Sequence, residues 1–169
     1  IDKDPDRYYR QIQQALDPIV DFDVFSRGVM GHLASNRYVQ GLPEADRAAA
    51  MQNISDFSAV LHNTVIRGYG KVFYQYAGSQ FTMVSSELIG KGDRASVTQK
   101  ITDTKNQQYT IQYSLNNRDQ QGWKIQNIIV EGINMGQSYR AQFESALERY
   151  KGSVSDVIKN WPELMQGHE

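Results

Sequence analysis

Hydrophobic positions change their period twice along the chain, and the changes divide it into three parts. Tyr9, Ile12, Leu16, Ile19 and Val20 keep a spacing of three and four, a helical stripe that Asp17-Pro18 should break or restart. "DFDVFSRGVMGHL" (21–33) predicts a second, short helix with Asp23 as N-cap and Phe22, Phe25 and Val29 on one side. Gly41-Leu42-Pro43-Glu44 reads as the entry to a third helix, because proline suits a first turn and acidic residues suit its positive end. From there Ile54, Phe57, Leu61, Val65, Tyr69, Val72, Phe73 and Tyr76 hold one stripe for about six turns. Gly68 and Gly70 weaken that helix and are expected to mark a bend.

The period then drops to two. "MVSSELIG", "RASVTQKITD", "QQYTIQYSLNN" and "GWKIQNIIVEGINM" predict four strands, separated by turn residues at 90–93, 105–106 and 118–122. Connections this short imply an antiparallel meander. Tyr109, Ile111, Tyr113 and Leu115 alternate with Thr110, Gln112 and Ser114, and Val97 and Ile101 alternate likewise, so each strand has one covered and one wet face. The last strand differs. Ile128, Ile129, Val130 and Ile133 crowd around Glu131-Gly132, and Ile128, Val130 and Ile133 are expected not to point all one way. Helical spacing returns with Tyr139, Phe143, Leu147 and Tyr150, then Val154, Val157, Ile158 and Trp161, interrupted at Gly152-Ser153. The expected architecture is one α+β domain over 1–169, with helices in 5–77, a sheet in 83–135 and C-terminal helices in 137–161. A four-stranded curved antiparallel sheet would form a half-open cone against several helices, and the space between is either core or pocket.

Composition narrows the chemistry. The net charge of −1 removes a global basic field for nucleic acid, so no nucleic-acid partner is expected. The absence of cysteine excludes disulfides, thiol nucleophiles and thiolate metal sites. No window approaches the roughly 18 consecutive apolar residues of a membrane helix. The opening "IDKDPDRYYRQ" has neither an initiator methionine nor an apolar signal core, as a processed or shortened chain would. His32, His62 and His168 lack the short spacing of a helical metal pair, and no metal or cofactor is expected. "GYGK" at Gly70 lies inside a helical stripe rather than between a strand and a helix, and Ser26 and Ser85-Ser86 have no nucleophile-elbow context.

Glu131 needs separate treatment, since an unpaired carboxylate buried in a strand is costly. It is either a general acid or base in a cone-shaped pocket, or a structural group taking backbone N–H bonds or pairing with Arg27, Arg67 or Arg140. The structural reading is favoured because ion-pair networks also hold such groups. Ten tyrosines and six phenylalanines lie mostly on the apolar stripes. They make a bulky core or the walls of a cavity for an elongated apolar ligand.

Three segments carry a resemblance. "VDFDVFSRGVMG" (20–31), "YGKVFYQYAG" (69–78) and "GWKIQNIIVEGINMGQSYRAQF" (122–143) resemble the MlaC family, also called toluene-tolerance auxiliary proteins, and the order of elements is similar over nearly the whole chain. The resemblance implies an NTF2-like cone with a lipid cavity between sheet and helices, no catalytic residue, and a monomer in the periplasm whose signal peptide has been removed. It implies diacyl glycerophospholipid as ligand, carried between an outer-membrane lipoprotein–porin complex and an inner-membrane ABC transporter with an MCE-domain subunit. Phase and position then select Phe25, Val29, Val65, Tyr69, Phe73, Val97, Tyr109, Ile111, Tyr113, Ile128, Val130, Ile133 and Phe143 to line the tails, with Glu131, Gly132 and Arg140 as structural residues. The rival readings are an enzyme using Glu131 and a solid-core interaction module.

Overall fold

A computed structural model describes residues 4–166, and His168 lies outside them. The chain is α+β and divides into two compact units: residues up to Asp21 with Ile66–Met135, and Phe22–Val65 with Gly136 onward. The first holds helix α1 (Pro5–Leu16) and strands β1 (Gln80–Ile89), β2 (Arg94–Thr102), β3 (Gln108–Asn116), β4 (Lys124–Val130) and β5 (Ile133–Asn134). The second holds α2 (Phe22–Met30), a 3₁₀ segment (Gly31–Ala34), α3 (Asn36–Gly41), α5 (Met135–Arg149) from its second residue, and α6 (Val154–Gln166). Helix α4 (Glu44–Gln75) gives its length to Val65 to the helical unit and its last turns to the sheet unit.

The sheet is antiparallel, open and curved, in the order β1-β2-β3-β4-β5. It has five strands rather than the four expected. Glu131 and Gly132 both take positive φ, 49° and 81°, so they form the two-residue primed turn that matches strand twist and returns Ile133-Asn134 alongside β4. Thr110 holds this turn from both sides. Its carbonyl accepts from the Glu131 N–H at 3.0 Å, and its own N–H donates to the Glu131 carboxylate. Parallel pairing of Val20 with Ile125 ties the segment after α1 to β4, with the Asp21 and Ile125 amides bonded to Ile125 and Ile19 carbonyls at 2.8 and 2.7 Å.

Local chemistry sets the helix ends. The Asp4 carboxylate accepts from the Arg7 N–H at 2.9 Å and Pro5 opens the first turn, so α1 starts there. Asp23 is not an N-cap: α2 begins at Phe22, and the Asp23 carboxylate pairs with Arg27 one turn on at 2.9 Å. The unexpected α3 is capped by the Ser35 hydroxyl, which accepts from the Tyr38 N–H at 3.2 Å; six residues are too few to display a period. Gly68 and Gly70 do not break α4. Gly70 instead lets α1 approach: the Tyr8 hydroxyl donates to the Gly70 carbonyl at 2.6 Å, and a Cβ on Gly70 would stand 2.7 Å from the Tyr9 ring.

The helical unit has a closed core. The Phe57 ring meets Phe143 edge-on at 4.8 Å and Trp161 at 5.1 Å, within the favourable range for aromatic pairs. Val29, Leu61 and Val157 are also fully buried in this unit. Arg140 lies over Gly31, where φ is +63° and a Cβ would stand only 2.9 Å from the guanidinium, and it pairs with Glu144 at 3.1 Å.

Candidate functional site

Strand register assembles one continuous apolar face in the sheet unit. Residues directly opposite on antiparallel neighbours share a face. One row across the sheet is Phe81, Ile101, Tyr109; the next is Met83, Gln99, Ile111, Val130, Ile133. A third row is Ser86, Val97, Tyr113, Ile128, and a fourth is Leu88, Ala95, Leu115, Ile125. The reverse face carries Thr82, Glu87, Ser96, Thr98, Lys100, Thr110, Gln112, Ser114 and Asn127, with Ile89 and Ile129 its apolar exceptions. Gln112 donates to the Ser96 hydroxyl there at 2.8 Å. All charged strand residues described, Arg94, Lys100, Glu87 and Lys124, fall on that polar side.

The apolar face is poorly covered. Among the described residues Ile101 is its one fully buried member, at 6% exposed, while Leu88 is 70% and Ile133 61% exposed. The fully buried apolar side chains lie otherwise in the helical unit, apart from Ile66. An apolar surface that is only partly covered in its middle and exposed at Phe81, Met83, Leu88 and Ile133 suits a binding surface better than a finished core. Near one end of the face the Tyr76 ring, just beyond α4, stands edge-on to Tyr109 at 5.2 Å. Tyr69 and Phe73 sit on the last turns of α4, with ring centres 6.4 Å apart and Phe73 exposed.

Of the residues selected from sequence, Val97, Tyr109, Ile111, Tyr113, Ile128, Val130 and Ile133 therefore come together on one face. The expectation that Ile128, Val130 and Ile133 diverge is corrected. The primed turn at Glu131-Gly132 restores Ile133 to the face of Val130, and Ile129 takes the reverse side. Val29, Val65 and Phe143 are corrected too: at 1%, 5% and 0% exposed, they are covered by protein in the helical unit and present no surface to a ligand. Phe25 is half-buried in that unit against Tyr139, ring centres 5.9 Å apart. Sequence reasoning missed Phe81, Met83 and Leu88. The register shift between Met83 and Ser85 makes a bulge that moves the alternation by one residue, hiding the pattern F-x-M-(V)-x-S-x-L.

One polar pair interrupts the face. The Tyr113 hydroxyl donates to Gln99 Oε1 at 3.0 Å, diagonally across β2 and β3. Burial pushes the Tyr113 phenol above its ordinary pKa of 10.0, since the ionised form would lose its water. The helical unit has a separate cavity of about 680 Å³ lined by Asp23, Arg27, Asn36, Val39, Met51 and Ile54, among others, and it contains none of the selected tail-lining residues. His62 packs on Phe22 and His32 on Tyr38, and no group of three His, Asp or Glu side chains comes together among the described residues.

The MlaC protein family model matches residues 1–163. The chain belongs to the MlaC family. It is 29% identical over 157 residues to the toluene tolerance protein ttg2D of Pseudomonas putida, spanning 93% of this chain and 67% of that protein. A phospholipid-binding protein from Ralstonia solanacearum, solved in complex with a phospholipid, has the same fold: TM-score 0.73 over 94% of this chain and 83% of that one, at 15% identity. Among the described residues no helix is long and apolar enough to cross a membrane.

Proposed function

We propose that this MlaC-family chain is a periplasmic carrier of diacyl glycerophospholipid rather than an enzyme. It receives and delivers lipid between an outer-membrane lipoprotein–porin complex and an inner-membrane ABC transporter with an MCE-domain subunit, and so maintains outer-membrane lipid asymmetry and solvent tolerance. The observation that carries the reading is the uncharged apolar face spanning all five strands, left incompletely covered by the protein's own side chains. Acyl chains laid on that face would supply the missing cover. Family membership, the toluene tolerance relative and the lipid in the structural neighbour support the same ligand class.

The energetics suit a shuttle. Two acyl chains carry roughly 30 methylenes, and at about 0.8 kcal/mol each their gross transfer from water exceeds about 20 kcal/mol. A bilayer offers the same term, so a carrier needs only comparable burial to compete, and escape through water is slow. Unloading then requires docking on a partner that opens a path. Glu131 fits this reading as a turn-holding residue, its carboxylate taken by the Thr110 N–H.

Native mass spectrometry of the purified protein, with organic extraction of what accompanies it, tests the proposal. Co-purifying diacyl glycerophospholipid at defined stoichiometry, lost when Ile111 and Val130 are both replaced by Trp, supports it. A bare protein mass together with no uptake from phospholipid vesicles refutes it and leaves the interaction module.

A further inference from the structure

Gln99 is the unexpected residue on the apolar face. Its neighbours there are Val97 and Ile101 along β2, Met83 on β1 and Ile111 on β3, all apolar. A neutral amide in such a setting costs free energy unless its groups are bonded. Tyr113 satisfies half of the requirement, donating to Oε1 at 3.0 Å and so fixing which way the amide points. The Nε2 hydrogens remain, and among the described residues they meet no acceptor. The nitrogen is not sealed in either: it is absent from the few fully buried polar atoms that lack a partner, Ser79 Oγ, Gln142 Oε1 and Trp161 Nε1. It therefore keeps two donors on the apolar face that no side chain among the described residues takes.

We propose that the Gln99 amide, oriented by Tyr113, donates to an acyl-ester carbonyl of the bound lipid and thereby fixes how deep the glycerol end sits. This rests on the carrier reading above and names the part of the lipid that is recognised. An ester carbonyl is favoured over the phosphodiester by charge. The face carries no Lys or Arg, because Arg94, Lys100 and Lys124 all fall on the reverse side. A phosphate drawn onto it would be a desolvated anion without a counter-charge. A carbonyl is a neutral acceptor, matched to a neutral donor. Tyr113 acts here as a positioning residue through its hydroxyl, which is committed to Gln99 Oε1 and holds the amide that bonds the lipid, while its ring remains part of the apolar face.

The test compares lipids that differ only in the acyl linkage. Uptake is measured from vesicles of dipalmitoyl phosphatidylglycerol and of its dihexadecyl diether analogue, which lacks both carbonyls. The wild-type protein should prefer the diester about 3- to 10-fold, the range of one net hydrogen bond. Gln99→Met, which keeps length and removes the donors, should bring that ratio to about one. Dividing mutant by wild-type ratios cancels any difference between the two donor bilayers. Should Gln99→Met fail to fold, Tyr113→Phe removes a single oxygen, and it too should lower the ratio by freeing the amide to turn. A wild-type ratio near one, or a preference that survives these changes, overturns the assignment while leaving the carrier intact. Uptake of neither lipid overturns the carrier reading itself.

Discussion

Truncating one buried and one half-covered residue distinguishes a finished core from a binding face. Phe143 is 0% exposed, with its ring against Phe57 at 4.8 Å and Trp161 at 6.2 Å, so Phe143→Ala leaves a cavity with nothing to fill it. Phe→Ala changes at such sites cost about 3–5 kcal/mol. In a chain of this length each kcal/mol moves Tm by roughly 2–4 °C, so a drop of about 10 °C is expected. Ile111 lies at the centre of the sheet face and is only half-buried. Ile111→Ala removes about three carbon groups worth about 0.8 kcal/mol each when fully covered; half-covered, they give about 1 kcal/mol and a fall of about 3 °C. The other half of that burial belongs to the ligand. Its loss should weaken phospholipid binding by about 1 kcal/mol, or roughly fivefold. Thermal unfolding of delipidated protein and titration with fluorescent phospholipid measure the two quantities separately. If Ile111→Ala lowers Tm as far as Phe143→Ala and leaves lipid affinity unchanged, the sheet face is closed core and the reasoning fails.

Gly70→Ala should destabilise the protein by about 1–3 kcal/mol through overpacking against Tyr9, although Gly→Ala in an unconstrained helix would gain about 1 kcal/mol. Arg67 stacks on the other partner in that contact, the Tyr9 ring, at 5.2 Å. Combining Gly70→Ala with Tyr9→Ala in a denaturation cycle should show strong coupling; additive effects would contradict the contact. Tyr113 predicts an alkaline limit to stability. Its folded pKa lies above the ordinary 10.0, so the contribution is fully present below about pH 10 and is lost as pH rises through the folded pKa, where the unfolded chain has already ionised. Tyr113→Phe should make the fall in Tm above pH 10 shallower, and identical pH profiles for the two proteins would dismiss the effect.

The chain's periodicity determined the type of nearly every long element. Three- and four-residue spacing from Ile54 to Val72 made α4 legible, and strict alternation from Tyr109 to Leu115 made β3 legible with its apolar face. These signals are local, so one sequence suffices to read them. What sequence could not decide was where local rules give way to neighbours. Gly70 looked like a weak point in a helix, and only the approach of Tyr8 and Tyr9 shows why that position has no side chain. Glu131-Gly132 sat within an apolar run, and only the fold-back of β5 turns it into a hairpin that puts Ile128, Val130 and Ile133 on the same side. Val29, Val65 and Phe143 have the same apolar character as Val97 and Ile111, yet protein covers the first three fully and the other two only in part. Hydrophobicity states that a side chain avoids water, not what will cover it. That depends on packing between elements distant in the chain, and it separates the core of the helical unit from the open face of the sheet.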